Sequence, residues 1–168
     1  DADGAEASEG RRPLAARLYY ARLTQALVTA MTAPMAEGRV YQVDMRLRPS
    51  GNQGPVATSW KSFRAYQRDD AWVWEHLALS RARVIIGNSA LAADVESFRV
   101  DLLGQDQRRG TVLQEVADMR ARISMAKAPA GTLDVKIGPG RLLDVELVSQ
   151  AGAVLAGLPV TDVASGLR

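Results

Sequence analysis

The chain has 168 residues, 47% of them apolar, enough for one domain or two small ones with a sizeable core. It has no cysteine and one histidine, His76, which excludes disulfides, thiolate zinc sites, His-rich metal centres and paired-histidine acid–base chemistry within it. A net charge of +2 is too small a field to argue for nucleic acid, no apolar run reaches the roughly 18 residues of a membrane span, and the acidic, Gly/Ala-rich start does not resemble a signal peptide.

Residues 1–10 read as a flexible lead-in. From Pro13, which suits a first helical turn, Leu14, Leu18, Leu23, Leu27 and Met31 recur at helical spacing, and Ala33-Pro34 closes the helix. Residues 40–54, VYQVDMRLRPSGNQG, then alternate with period two. Tyr41, Val43, Met45 and Leu47 share one face of the predicted strand; Gln42, Asp44, Arg46 and Arg48 share the other. Two readings stay open. One is a solvated edge strand. The other is a face for metal-assisted phosphoryl or nucleotidyl transfer, because a carboxylate suits Mg²⁺ and guanidiniums suit phosphate.

Ser59 is placed to cap a long helix with Trp60, Phe63, Gln67, Asp70, Trp74, Leu77 and Arg81 on one face. The β-branched Val84, Ile85 and Ile86 before Gly87-Asn88 predict an extended end. Glu75 could stand behind a reacting group, and Arg81 or Arg83 could hold phosphate. The alternative is a helix packed by its tryptophans, with its charges as caps and surface pairs. His76 reads as structural.

Ser89 is a candidate cap for an amphipathic helix built on Leu91, Val95, Phe98 and Leu102, up to Gly104. Val112, Val116, Met119, Ile123 and Ala126 define the next helix, whose other faces carry Arg108, Glu115, Asp118, Arg120 and Arg122. Pro129-Ala130-Gly131 breaks it. Leu133, Val135 and Ile137, alternating with Asp134 and Lys136, predict a short strand or extended segment. Gly138-Pro139-Gly140 is a tight turn, or a glycine-rich presentation of N–H groups to an anion, although Pro139 removes one donor and no Gly-Lys-Ser/Thr follows. A final helix runs from about residue 141 to 155, with Asp144 in its first turn. Composition shifts near Gly87, from strands, turns and aromatics to amphipathic helix.

Taken together, VDMRLRPSGNQGP, AYQRDDAWVWEHLALSRARVIIG, LQEVADMRARI and DVKIGPGRLLDVELVSQ occur in an order and spacing that resembles the bacterial glutamine-synthetase adenylyltransferases, bifunctional enzymes with two related nucleotidyltransferase domains. The wording from Ala71 through His76 is similar to the C-terminal half, which transfers AMP. Arg141 and Leu147 depart from the family pattern, which has a second glycine and an aromatic there. The resemblance implies two Mg²⁺ ions held by three carboxylates, with ATP as substrate. Asp44 matches the third carboxylate, as catalytic metal ligand. Arg46 and Arg48 are the candidate phosphate-binding residues, and Glu75, Arg81, Arg83, Lys136 and Asp144 are candidates to support them. The Gly-Ser-x-x-Asp-x-Asp motif that carries the other two carboxylates is absent. Asp1 and Asp3 do not replace it, because Gly4 and the polar run after it do not read as a buried strand.

The expected fold is therefore α+β, mainly helical. An incomplete nucleotidyltransferase-fold sheet over residues 1–87, lacking its first metal-binding strand, precedes a helical domain over residues 88–168 truncated at its C-terminus. The expected function is part of the cytoplasmic domain that transfers AMP from ATP to a tyrosine of glutamine synthetase, regulating nitrogen assimilation, with the isolated chain inactive. Two alternatives stand beside it: the adenylyl-removing half, or a non-catalytic helical module that binds glutamine synthetase or the PII regulator. Those two proteins are the implied partners, with no nucleic acid and no membrane. The unpaired edges of a truncated sheet leave room for a homodimer.

Overall fold

The computed structural model describes residues 7–39, 41–105, 109–160, 163, 164 and 167. Asp1, Asp3, Val40 and Arg108 lie outside them. The chain divides into two compact units, Asp1–Asp70 and Ala71–Arg168. Among the described residues there are six α-helices and no strand. The only β pairing among those residues is two isolated bridges, Ala7 with Ala15 and Met35 with Gly38.

The first unit carries α1 (Ala16–Thr32), a 3₁₀ turn at Gly51–Gln53, and α2 (Trp60–Asp69). Helix α1 follows the leucine spacing and stops before Pro34, yet Leu18, Leu23 and Leu27 on it are exposed. Helix α2 starts at the predicted cap, where Ser62 N–H donates to Ser59 Oγ at 3.2 Å. Trp60 and Phe63 then stack with ring centroids 5.7 Å apart.

The alternating stretch after α1 is not a strand. A strand is stable only when a neighbouring backbone completes its ladder. Here Tyr41 N–H reaches the Met31 carbonyl at 3.3 Å, while Arg46 N–H is taken by the Asp44 side chain at 2.9 Å. A period-two pattern describes a face; it does not supply the partner.

The second unit is a bundle of α3 (Val73–Ser80), α4 (Ser89–Gly104), α5 (Arg109–Ala126) and α6 (Leu142–Ala156). The long helix expected after Ser59 is thus two helices, broken at residues 70–72. Helix α4 is capped by Asn88, whose Oδ1 accepts from Ala90 N–H at 2.9 Å, one residue before the expected Ser89. Helix α6 touches α3, α4 and α5 and is the hub of the bundle. Its composition explains this: LLDVELVSQAGAVLA has only two charged residues, and a helix apolar on nearly every side is stable only when surrounded. Val73, Leu77, Leu103, Val112, Leu147, Ala151 and Val154 form the core, with Val116 and Met119 of α5 packed against it.

The second expected strand, around residues 133–137, is also absent. Asp134 accepts the N–H groups of Ala130, Lys136 and Ile137, each at 2.9 Å, and curls the segment into a loop. Aspartate favours such local bonds over a ladder. The α+β expectation, with an incomplete nucleotidyltransferase sheet, is therefore corrected. The described fold is helical, because neither alternating segment has a strand to pair with.

Candidate functional site

In the first unit, Asp44 and Arg46 form one exposed ion pair. Arg46 Nε donates to both carboxylate oxygens at 2.9 and 3.0 Å, and Nη2 donates to Oδ2 at 2.5 Å. The Arg46 guanidinium, then its backbone N–H, holds the Asp44 carboxyl down at about 2. The Arg48 guanidinium donates to the Met45 carbonyl and, at 3.4 Å, to that of Gly54, bracing the turn.

The donor set does not fit the two-Mg²⁺ arrangement that the resemblance implies. Both Asp44 oxygens are engaged by Arg46, and among the described residues no three His, Asp or Glu groups gather where they could hold a metal. The expectation of a catalytic AMP-transferring domain is overturned on the same grounds. Adenylyl transfer through paired metals needs carboxylates aligned on a rigid scaffold, and here there is neither a sheet nor a carboxylate cluster among the described residues. Transferase, ATP-binding and magnesium chemistry are accordingly not ascribed to the chain alone.

The remaining candidates lie in the second unit. Glu75 is 2% exposed, and its Oε2 accepts Trp72 N–H at 2.9 Å, closing the first turn of α3. Arg81 sits at the other end of α3 as its C-cap; Arg81 and Arg83 are both exposed. Glu75 and the two arginines therefore do not converge. Asp144 accepts from the Arg120 guanidinium and, at 2.7 Å, from Gly140 N–H. Arg120 first, and the Gly140 N–H second, hold its carboxyl below the usual carboxylate range.

The loop at residues 130–141 is organised from within. Arg141 donates to the carbonyls of Thr132 at 3.1 Å and Ile137 at 3.0 Å, and to that of Asp134. Gly138 has φ +140°, and a Cβ there would lie 2.7 Å from Arg141 Nε, so the side chain passes where only glycine leaves room. Leu142 and Leu143 N–H groups bond the carbonyls of Val135 and Lys136, both at 3.2 Å. The first donors of α6 are therefore occupied, and the segment is a tight turn rather than an anion cradle. Lys136 stands exposed at this loop with no ion-pair partner among the described residues.

Three arginines hold this unit together without having drawn notice as site residues. Arg99, 5% exposed, donates to the Leu79 carbonyl at 3.1 Å and the Ser80 carbonyl at 3.0 Å, and pairs with Glu96. The signal was its place between Val95 and Leu103, four residues from each, on the apolar stripe of α4. Arg120 lies four residues after Val116, at the edge of the α5 stripe. Arg141 follows the glycines that make room for it.

The Asp134 bonds predict a pH dependence. The N–H groups of Ile137, Ala130 and Lys136 lower its carboxyl from 3.8 to about 2. A depressed folded value means that the stabilisation is present above about pH 4 and is lost as pH falls toward 2. Amide exchange at Lys136 and Ile137 is expected to accelerate over that window, and Asp134→Ala to remove the pH dependence.

Comparison with known proteins bears on both units. The family model for glutamate-ammonia ligase adenylyltransferase matches residues 1–98. The chain is 51% identical, over 94% of its length, to the bifunctional glutamine synthetase adenylyltransferase/adenylyl-removing enzyme of Mesorhizobium japonicum. It is 46% identical over 91% to that of Agrobacterium fabrum, and 40% identical over 90% to that of Stenotrophomonas maltophilia. It spans 16% of the length of each of these relatives.

Proposed function

Since this chain belongs to the glutamate-ammonia ligase adenylyltransferase family, we propose that it acts as a non-catalytic helical module that docks on glutamine synthetase. One observation carries the reading: the carboxylates with catalytic potential are engaged in ion pairs and caps, while the second unit is a well-packed bundle with apolar surface left uncovered. Asp44 is paired with Arg46, Glu75 caps α3, and Asp144 is held by Arg120 and Gly140. Such a bundle is a support for recognition rather than for metal chemistry. The adenylyl-removing reading shares the sheet-based fold of the transferring one, so the helical architecture favours the docking module over it.

On this reading Asp44, Arg46 and Arg48 keep a role toward Mg²⁺ and ATP only when carboxylates from outside this chain complete the set and the Asp44–Arg46 pair opens. The reading also places the module in the cytoplasm, beside its partner. Among the described residues no helix is long and apolar enough to cross a membrane.

Calorimetric titration of glutamine synthetase with the chain tests the proposal. Saturable binding is expected, at an affinity unchanged by Asp44→Asn. Absence of binding, with tight binding to PII instead, would transfer the module to the regulator.

A further inference from the structure

The segment after α6 folds back on the bundle. Gly157, at φ +70°, ends the helix in the left-handed conformation, and Leu158 N–H returns to the Ala153 carbonyl at 3.0 Å. Val160 N–H then donates to the Ser80 carbonyl at 2.9 Å, and Ser149 Oγ of α6 donates to the Val163 carbonyl at 3.1 Å. Both anchor points are deep, since Ser80 and Ser149 are buried. Pro159, Val160 and Val163 are half-buried, so the segment lies on the end of α3 as a strap.

The Ser80 carbonyl also accepts Arg99 Nη2 at 3.0 Å, so strap and guanidinium meet on one oxygen. From there the bonds run on without a gap. Arg99 pairs with Glu96, and Glu96 Oε1 accepts Val84 N–H at 3.2 Å. Among the described residues that last bond is what holds the run Val84-Ile85-Ile86 to α4. Packing does little to fix it: Ile85 and Ile86 are exposed, and a cavity of about 490 Å³ is lined by the run and by Ala92, Ala93 and Glu96 of α4.

The direction of the coupling follows from burial. Losing the Val160 donor leaves the Ser80 carbonyl to Arg99 alone, but it also opens the guanidinium, now 5% exposed, to water. The second effect is the larger, because an ion pair keeps its strength where water is excluded and contributes little once solvated. The strap is also the element that lifts first. Two hydrogen bonds and three half-buried side chains hold it, whereas the helices share a core.

We propose that the segment from Gly157 through Val160, with Val163, is a regulatory strap. Seated on the Ser80 carbonyl, it fixes the run 84–86 through Arg99 and Glu96; lifted, it releases that run. It thereby governs the apolar surface that the module presents at Ile85 and Ile86. The inference stands on the packing of the second unit and is independent of what the module binds.

Amide exchange of the whole chain, followed residue by residue in wild type and in two variants, tests it. Val160→Pro removes the donor to Ser80. Ser149→Ala removes the bond to Val163 without altering the backbone, and serves where Val160→Pro disturbs folding. In each, exchange at Val84 should rise by about fivefold or more. Ala90 N–H, held by Asn88 at the other end of the same loop, should keep its wild-type rate. In Glu96→Gln, where Arg99 has lost its charged partner, the same strap variants should change Val84 exchange by less than about twofold. Val84 exchange unchanged by both strap variants overturns the proposal. A parallel rise at Ala90 overturns it too, since the whole unit has then loosened. An equal rise with and without Glu96→Gln overturns the relay through Arg99 and Glu96.

Discussion

Leu77→Ala is expected to lower the unfolding free energy of the helical unit by about 2–5 kcal/mol, the range for emptying a well-packed leucine site. Leu77 is 1% exposed and belongs to the core cluster drawn from α3, α4, α5 and α6. Its removal strips contacts from several helices at once. Against a domain stability of about 5–15 kcal/mol, the loss moves the denaturant midpoint far down without a change in slope. Fluorescence of Trp72 and Trp74, at the start of α3, should report it. Leu77→Met, which keeps the volume, should cost less than about 1.5 kcal/mol. Similar midpoints for the alanine and methionine variants would mean that the core is not where α3 and α6 meet.

Arg99→Ala should cost about 2–3 kcal/mol in the same measurement, the scale of losing buried hydrogen bonds from a charged donor. One guanidinium holds the Leu79 and Ser80 carbonyls at the end of α3 and also pairs with Glu96, which in turn accepts Val84 N–H at 3.2 Å. The link therefore ties the exit of α3 to the middle of α4. Arg99→Lys should recover less than half of the loss, since a single ammonium cannot reproduce a planar fork reaching two carbonyls and a carboxylate. Amide exchange at Val84 should rise in both variants.

Helices were legible in the sequence where apolar residues repeat at 3.6-residue spacing inside clear stops. The stripe of Val112, Val116 and Met119 predicted α5 and its buried side, and Pro34 and Gly104 marked true ends. Strands were not legible, because alternation at residues 41–48 and 133–137 is a local property whereas a ladder needs a distant partner. Two aspartates turned those segments into loops: Asp44 through Arg46, and Asp134 through three N–H groups. The break at residues 70–72 escaped notice because the tryptophan and leucine spacing runs through it. Glu75 holds Trp72 N–H from the far side of that break.

The candidate residues were recognised by type, and their partners decided their condition. Asp44 was picked out as a carboxylate among arginines, and that neighbourhood is what occupies it, since Arg46 two residues on is within reach of both oxygens. Arg99 holds two backbone carbonyls and Arg141 three, and their signals in the sequence are slight: a place on the apolar stripe of α4 for the first, and the glycines that precede it for the second.

The central claim is that this chain is a docking module and carries no transfer chemistry of its own. Intact-mass spectrometry of glutamine synthetase, incubated with saturating chain, ATP and Mg²⁺, tests it most directly. A stable complex in which glutamine synthetase keeps its unmodified mass is the predicted result. Appearance of an AMP adduct on glutamine synthetase, abolished by Asp44→Asn, would contradict it.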